Sequence, residues 1–438
     1  MQRILLASAL CVATVHAANL SATERQALTD EFNAWKQSRA GQIAIKQGFY
    51  KPYISLLDDS VPDTDLARFQ NTKTAIEKLS KENPEATFSV NTPFTMMTTE
   101  EFAHYVKGSF SKGQPKRQLR ADANNNAQEA ADTMVDGTDW TNSGCVGAVR
   151  DQGQCGSCWA FASVASAESA NCLANGHNFV EFSTQQVTNC CTAGGSQGCD
   201  GGYEDKAIDW ISQNGLCTET SYPYTSGSTG QTGTCKSSCT RQHLAVSGVV
   251  NVNSGESNLQ NALQKQPITV AVSAGNDAWK QYSGGVLSSC PKAQSDHAVF
   301  AVAYGTSSSP YFKIRNSWGT SWGENGYIYL KRGVGGVGTC NVAETPSYPQ
   351  MSSTTPAPTA TSTAKPTSTP KPTATSKPTA TPKPTKTPKP TTPAPTTTSP
   401  PSDSCNDCTG CYDAEYDYCY QTWSEYTCTD YDLQWCGN

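Results

Sequence analysis

Hydrophobic and polar positions divide the chain into stretches of different period. Ile4 to Val15 is a continuous apolar run behind the short basic start Met1-Gln2-Arg3. Helical spacing then recurs from Glu24 to Arg39, from Asp63 to Lys81, and from Thr98 to Val106. Thr98, followed three residues later by Glu101, is a capping-box start for the last of these. Small and apolar residues from Cys158 to Leu173 have the length and spacing of a buried helix, with Gly156-Ser157 as its start signal. The pattern then turns to strands at Ala245–Val252, Ile268–Ser273, Ala298–Tyr304, Tyr311–Arg315 and Tyr327–Leu330. A helical half followed by a strand-rich half predicts an α+β fold of two lobes with a cleft between them, where sites preferentially form.

Composition narrows the setting. The 438 residues carry a net charge of −6, which argues against nucleic acid and against a polybasic membrane surface. Nineteen cysteines are too many for a reducing cytosol, and with five histidines and no zinc-finger spacing in the middle of the chain, disulfides are the better reading than metal. The opening run ends in Val15-His16-Ala17, a small-residue cleavage form, so residues 1–17 read as a secretory signal peptide that carries Cys11 away with it. No later run has the length of a membrane span, so the product is expected to be soluble and exported, with a lysosome or vacuole as the alternative destination.

Residues 18–126 hold no cysteine, are rich in charge and repeat helical patterns. They fit either an ordinary helical domain or a removable pro-segment. Gln114 to Gln128, with Lys116, Arg117 and Arg120, reads as an exposed link open to proteolysis. At the far end, residues 351–402 are Thr, Pro, Ser and Ala, with Lys365, Lys371, Lys377, Lys383 and Lys389 every six residues, an extended spacer with plausible O-glycosylation sites. Residues 403–438 hold Cys405, Cys408, Cys411, Cys419, Cys428 and Cys436, a stapled module with about fifteen formal connectivities. Its aromatics, Tyr412, Trp423 and Trp435 among them, exceed what so small a core can bury, which points to polysaccharide or cell-wall binding. Its acidic residues leave a calcium site or a protein contact open.

The candidate chemistry lies between residues 127 and 350. Cys158 falls in the first turn of a helix, where the partial positive charge of the helix start favours a thiolate. Three histidines follow the charged segment: His177 in a turn, His243 in a polar stretch, and His297 at the start of a buried strand. A lone histidine in that last place is more often structural. Nineteen residues on, Asn316 ends another strand, placed to accept a hydrogen bond from one ring nitrogen of His297 while the other faces sulfur. The rival reading of Cys155-Gly156-Ser157-Cys158 is a redox dithiol, but no alternating parallel pattern surrounds it.

In these motifs the chain resembles the papain family of cysteine peptidases, in its cathepsin L-like branch. Gln-x-x-Cys-Gly-Ser-Cys-Trp stands at Gln152–Trp159, Cys-x-Gly-Gly at Cys199–Gly202, and Asn-Ser-Trp-Gly at Asn316–Gly319. The resemblance implies a helical left lobe and a β-barrel-like right lobe. It makes Cys158 the nucleophile of a thiolate–imidazolium pair, His297 base and acid, Asn316 the orienting amide and Gln152 an oxyanion donor. Trp318 would shield the His–Asn contact. No cofactor or metal is implied; the partners are protein or peptide substrates and the chain's own pro-segment as inhibitor. Family spacing further implies Cys155–Cys199, Cys190–Cys235 and Cys290–Cys340, leaving Cys145, Cys172, Cys191, Cys217 and Cys239 unassigned.

The same resemblance sets a substrate-binding surface at Gly201, Gly202, Tyr203, Glu204, Ala271, Ser295, Asp296, Trp318 and Thr345. An apolar P2 residue is the default there. Glu204 and Thr345 would extend tolerance to polar or basic side chains, unless Glu204 simply points to water. The interval Cys190–Cys235 has no histidine and no long insert, which implies an endopeptidase rather than a carboxydipeptidase. The pro-segment keeps Phe69, Ile76 and Glu100-Glu101-Phe102 of the family pattern, while Val90-Asn91-Thr92-Pro93-Phe94 is an altered form. A secreted adhesion protein with a vestigial peptidase half is the reading from another class; intact Gln152, Cys158, His297 and Asn316 speak against it.

Overall fold

The computed structural model describes residues 20–52, 61–107 and 137–352, together with the backbone of 411–413, 418–420 and 434–435. The leader, the link at 114–128, nearly all of the Thr/Pro spacer, Trp423 and the tail cysteine pairings lie outside the described residues.

The first segment builds its own core. Helices α1 (Ala22–Gln37), α2 (Arg39–Lys46) and α3 (Asp63–Glu82) bring Leu28, Phe32, Trp35, Leu66 and Phe69 into one buried cluster. Ser21 starts α1 with a full capping box to Glu24, two otherwise orphaned donors satisfied at once. Helix α4 (Thr99–Lys107) starts as its sequence predicts: Glu101 N–H donates to Thr98 Oγ1 at 3.1 Å, and Thr98 N–H to Glu101 Oε2 at 2.7 Å. Its Phe102 and Val106, with Phe94 before it, are buried in the same cluster as Trp279, Tyr282 and Trp318 of the following domain.

The helical lobe is centred on α5 (Cys158–Ala174), in which every residue from Cys158 to Cys172 is buried. Alanine and serine recur on all its faces, so helices α6 (Thr184–Cys190) and α7 (Glu204–Asn214), with sheet strands, can surround it closely. Among the described residues, five disulfides staple the peptidase domain. Cys155–Cys199, Cys190–Cys235 and Cys290–Cys340 are the family-implied pairs; Cys145–Cys172 and Cys217–Cys239 take up four of the five unassigned cysteines. Cys191 keeps a buried thiol, which burial pushes up to about 11.

The second lobe is one nine-stranded sheet. Its strands are β1 (Ala86–Phe88), β2 (Thr138–Asp139), β3 (Val246–Asn251), β4 (Ile268–Val272), β5 (Tyr282–Leu287), β6 (His297–Thr306), β7 (Pro310–Arg315), β8 (Tyr327–Lys331) and β9 (Ser347–Met351). The path runs β1-β5-β8-β7-β6-β4-β9-β3, with β2 beside β6. The two-lobed α+β fold is as expected, and the path of its sheet is open. One end is extended by β1 from the first segment, and at the other β3 packs on α7. Strand β6 is buried for nine of its ten residues, as its apolar run predicts for a strand covered on both faces. Residues 361–438 form a second compact unit with a three-stranded antiparallel sheet, β11 (Tyr418–Tyr420), β10 (Cys411–Asp413) and β12 (Gln434–Trp435).

Candidate active site

Two elements from distant parts of the sequence bring the site together. Helix α5 begins at Cys158, and strand β6 begins at His297. The N–H of Ala298 donates to Cys158 Sγ at 3.3 Å, so the sulfur lies against the first residues of β6. Cys155, three residues earlier, is joined to Cys199, which disposes of the dithiol reading and leaves Cys158 outside any disulfide.

His297 is fully buried. Its Nε2 lies 2.8 Å from Asn316 Oδ1, and Ser317 N–H donates to that same oxygen at 2.8 Å. Two donors therefore converge on one amide oxygen, which requires Nε2 to carry the ring proton and leaves Nδ1 with a lone pair. Nδ1 is buried and makes no hydrogen bond among the described residues. The Trp318 ring stacks on the imidazole at 4.7 Å and 22°, covering the His–Asn contact from water.

Burial pushes His297 down to about 4, the Asn316 hydrogen bond opposing that shift. The rings against His297 are those of Trp318 and Trp279, both in the peptidase domain, and the first segment packs in turn on Trp318. Phe94, Phe102 and Tyr105 pack their rings on Trp318 at 5.2, 5.5 and 6.3 Å, and Tyr105 Oη donates to Gly153 O at 3.0 Å.

Gln152 is also buried. Its Nε2 donates to Cys155 O at 3.1 Å and its Oε1 accepts from Ser317 Oγ at 2.7 Å, tying its amide to the residue after Asn316. The remaining surface residues converge less tightly. Gly202 has no room for a side chain, since a Cβ there would stand 2.4 Å from the Trp159 ring. Tyr203 precedes α7, and Glu204, 1 % exposed, begins it; this corrects the alternative in which Glu204 points to water, because α7 packs its first turn inward. Ala271 faces Ala298 across β4 and β6. Asp296 accepts the N–H groups of Ala274 and Gly275 at 2.7 and 3.1 Å. Ser295 Oγ donates to Glu344 Oε2 at 2.5 Å, and Thr345 Oγ1 is buried with no hydrogen bond among the described residues. His177 lies on an exposed turn and His243 in an exposed irregular stretch before β3. The Ala298 N–H and Ser317 hydroxyl were not foreseen, since a backbone donor and a common serine leave no signal in the pattern.

A thiol at a helix start, beside a strand that offers an oriented imidazole, defines a cysteine peptidase of two-lobed papain-like fold. The profile described as "Papain family cysteine protease" matches residues 134–350, and the chain belongs to that family. It is 38% identical over 293 residues to digestive cysteine proteinase 3 of Homarus americanus, covering 65% of this chain and 87% of that one. Among solved structures it is similar to the proform of the ragweed pollen cysteine protease Amb a 11, at 28% identity and TM-score 0.60, over 74% of this chain and 95% of that one. It is likewise similar to digestive procathepsin L 3 of Tenebrio molitor larval midgut, at 29% identity and TM-score 0.58, over 72% and 100%. The protein is a zymogen-like cysteine protease, a hydrolase of peptide bonds.

Proposed function

We propose that this protease is a secreted endopeptidase made as a zymogen, in which Cys158 is the nucleophile, His297 the base and acid, Asn316 the orienting amide and Gln152 an oxyanion donor. The observation that carries this reading is the Ala298 N–H on Cys158 Sγ, next in sequence to a His297 ring whose proton Asn316 holds on Nε2. Nδ1 takes the proton of the sulfur, and the resulting thiolate attacks the scissile carbonyl. The Gln152 amide and the Cys158 N–H hold the oxyanion, His297 protonates the leaving amine, and water resolves the thioester. An imidazolium needs hydration or a nearby anion, and in this reading the Cys158 thiolate is that anion.

The first segment, residues 18–126, is the inhibitor in this reading and residues 127–350 the peptidase. Cleavage would fall within or after 114–128. Residues 1–17 direct export, and residues 351–402 tether the module 403–438 to a polysaccharide through Tyr412, Trp423 and Trp435. Hydrolysis of a peptide library by activated wild type and by Cys158→Ala tests the peptidase reading; equal hydrolysis by both sinks it. Removing residues 19–126 after folding is expected to raise activity. Retention of the full chain on insoluble cellulose or chitin tests the tail, and retention on neither ends the glycan reading.

A further inference from the structure

Asp151 takes no part in the chemistry above, yet its carboxylate sits on the rim of the site. We propose that Asp151 is a specificity-determining residue that draws an arginine or lysine side chain of the substrate to the leaving-group side of the scissile bond. This rests on the reading of Cys158 and His297 as the reacting pair. His297 must deliver its proton to the leaving amine, and its ring stacks on Trp318, so the C-terminal half of a substrate departs over Trp318. Asp151 forms a backbone bridge with Trp318 and adjoins Gln152.

The two carboxylate oxygens have different partners. Oδ1 is held by Gly153 N–H at 2.9 Å. Oδ2 accepts the side-chain amide of Gln47, from the covering segment, at 2.7 Å. Among the described residues the peptidase domain supplies no donor to Oδ2. Gly319, at φ +73°, keeps that oxygen open, since a Cβ there would stand 3.1 Å away. The turn at Gln47-Gly48 comes so close that a Cβ on Gly48 would meet Gln154 Nε2 at 2.6 Å. Arg39 of the same segment donates from Nη2 to Thr320 Oγ1 at 3.1 Å, next to Gly319.

The cover therefore meets this rim with an amide and a guanidinium, both donors. Once it leaves, Oδ2 loses its partner and is satisfied by water or by a cation. A peptide crossing Trp318 brings its first or second residue after the scissile bond within reach. A cationic side chain at one of those positions gains an ion pair that a neutral one lacks. A partly exposed pair of this kind is worth about a three- to fivefold preference.

The test uses the full chain, folded and then activated, on internally quenched peptides differing only at those two positions (Arg or Lys, Gln, Glu). Wild type is expected to favour Arg or Lys over Gln about three- to fivefold in kcat/KM at one position, less so at high salt. Asp151→Asn should bring that ratio to about one, and Asp151→Lys should turn it towards Glu. A wild-type ratio of one, or a basic preference that survives Asp151→Asn, overturns the proposal. Should Asp151→Asn not fold, Asp151→Glu and the salt series decide, a salt-insensitive preference counting against it. Cleavage without basic preference ends this inference alone; cleavage by Cys158→Ala at the wild-type rate ends the peptidase reading and this with it.

Discussion

His297 and Asn316 meet through a single oxygen that also accepts a backbone N–H from Ser317. That second donor settles which way round the amide lies, and so which nitrogen of the imidazole is left with a lone pair. Asn316→Ala frees the ring to rotate and to change tautomer. Its kcat is expected to fall about a hundredfold, with the folded state retained, as active-site titration against steady-state rates would read. A fall of no more than about threefold would remove the orienting role.

Gln152 is held at both ends of its amide, by Cys155 O and Ser317 Oγ, and so is preorganised before substrate arrives. Gln152→Ala is expected to lower kcat by about a hundred- to a thousandfold while KM moves little. Single-turnover acylation isolates the effect.

The buried imidazole makes the covered chain sensitive to acid. His297 titrates near 4 in the folded chain, below its ordinary value of 6.5, because burial disfavours the cation. The unfolded chain therefore binds the extra proton first. The stability is complete above about pH 6.5, is lost as pH falls towards 4, and changes no further below that, a loss on the order of 3 kcal/mol. Urea unfolding of the intact Cys158→Ala chain between pH 7 and 4 should show this slope, and Cys158→Ala/His297→Gln should flatten it.

Cys145 and Cys172 close a loop with a sequence separation of 27, tying the start of the domain to the end of α5. Replacing both with serine is expected to cost about 3 kcal/mol in the loop-entropy account. The site lies at the other end of α5, so turnover per folded molecule should change little, and thermal unfolding beside titrated activity separates the two.

Phe102 has no exposed surface and packs on Trp318 at 5.5 Å. Phe102→Ala leaves a cavity at the join between cover and site, costing the covered form about 3–5 kcal/mol. Processing at a given pH should run faster in this variant; an unchanged rate would show that α4 is not what holds the cover down.

Much of this protein follows from local pattern alone. Period 3.6 marks α1, α3, α4 and α5, alternating or continuous apolar runs mark β3, β4, β6, β7 and β8, and the motif residues stand where short-range geometry needs them. Strand β5 escapes the pattern because Gly284-Gly285 interrupts it. Strand β9 escapes it because Pro349 sits in its middle. The tertiary structure alone decided that Cys145 pairs with Cys172 and Cys217 with Cys239, that Glu204 is turned inward, and that the sheet stays open with β1 on its edge. It also decided how deeply His297 is buried, and so the downward direction of its pKa, since that depends on which rings exclude water from it. Periodicity reports which face of a segment is buried; it carries no record of which distant segment does the burying.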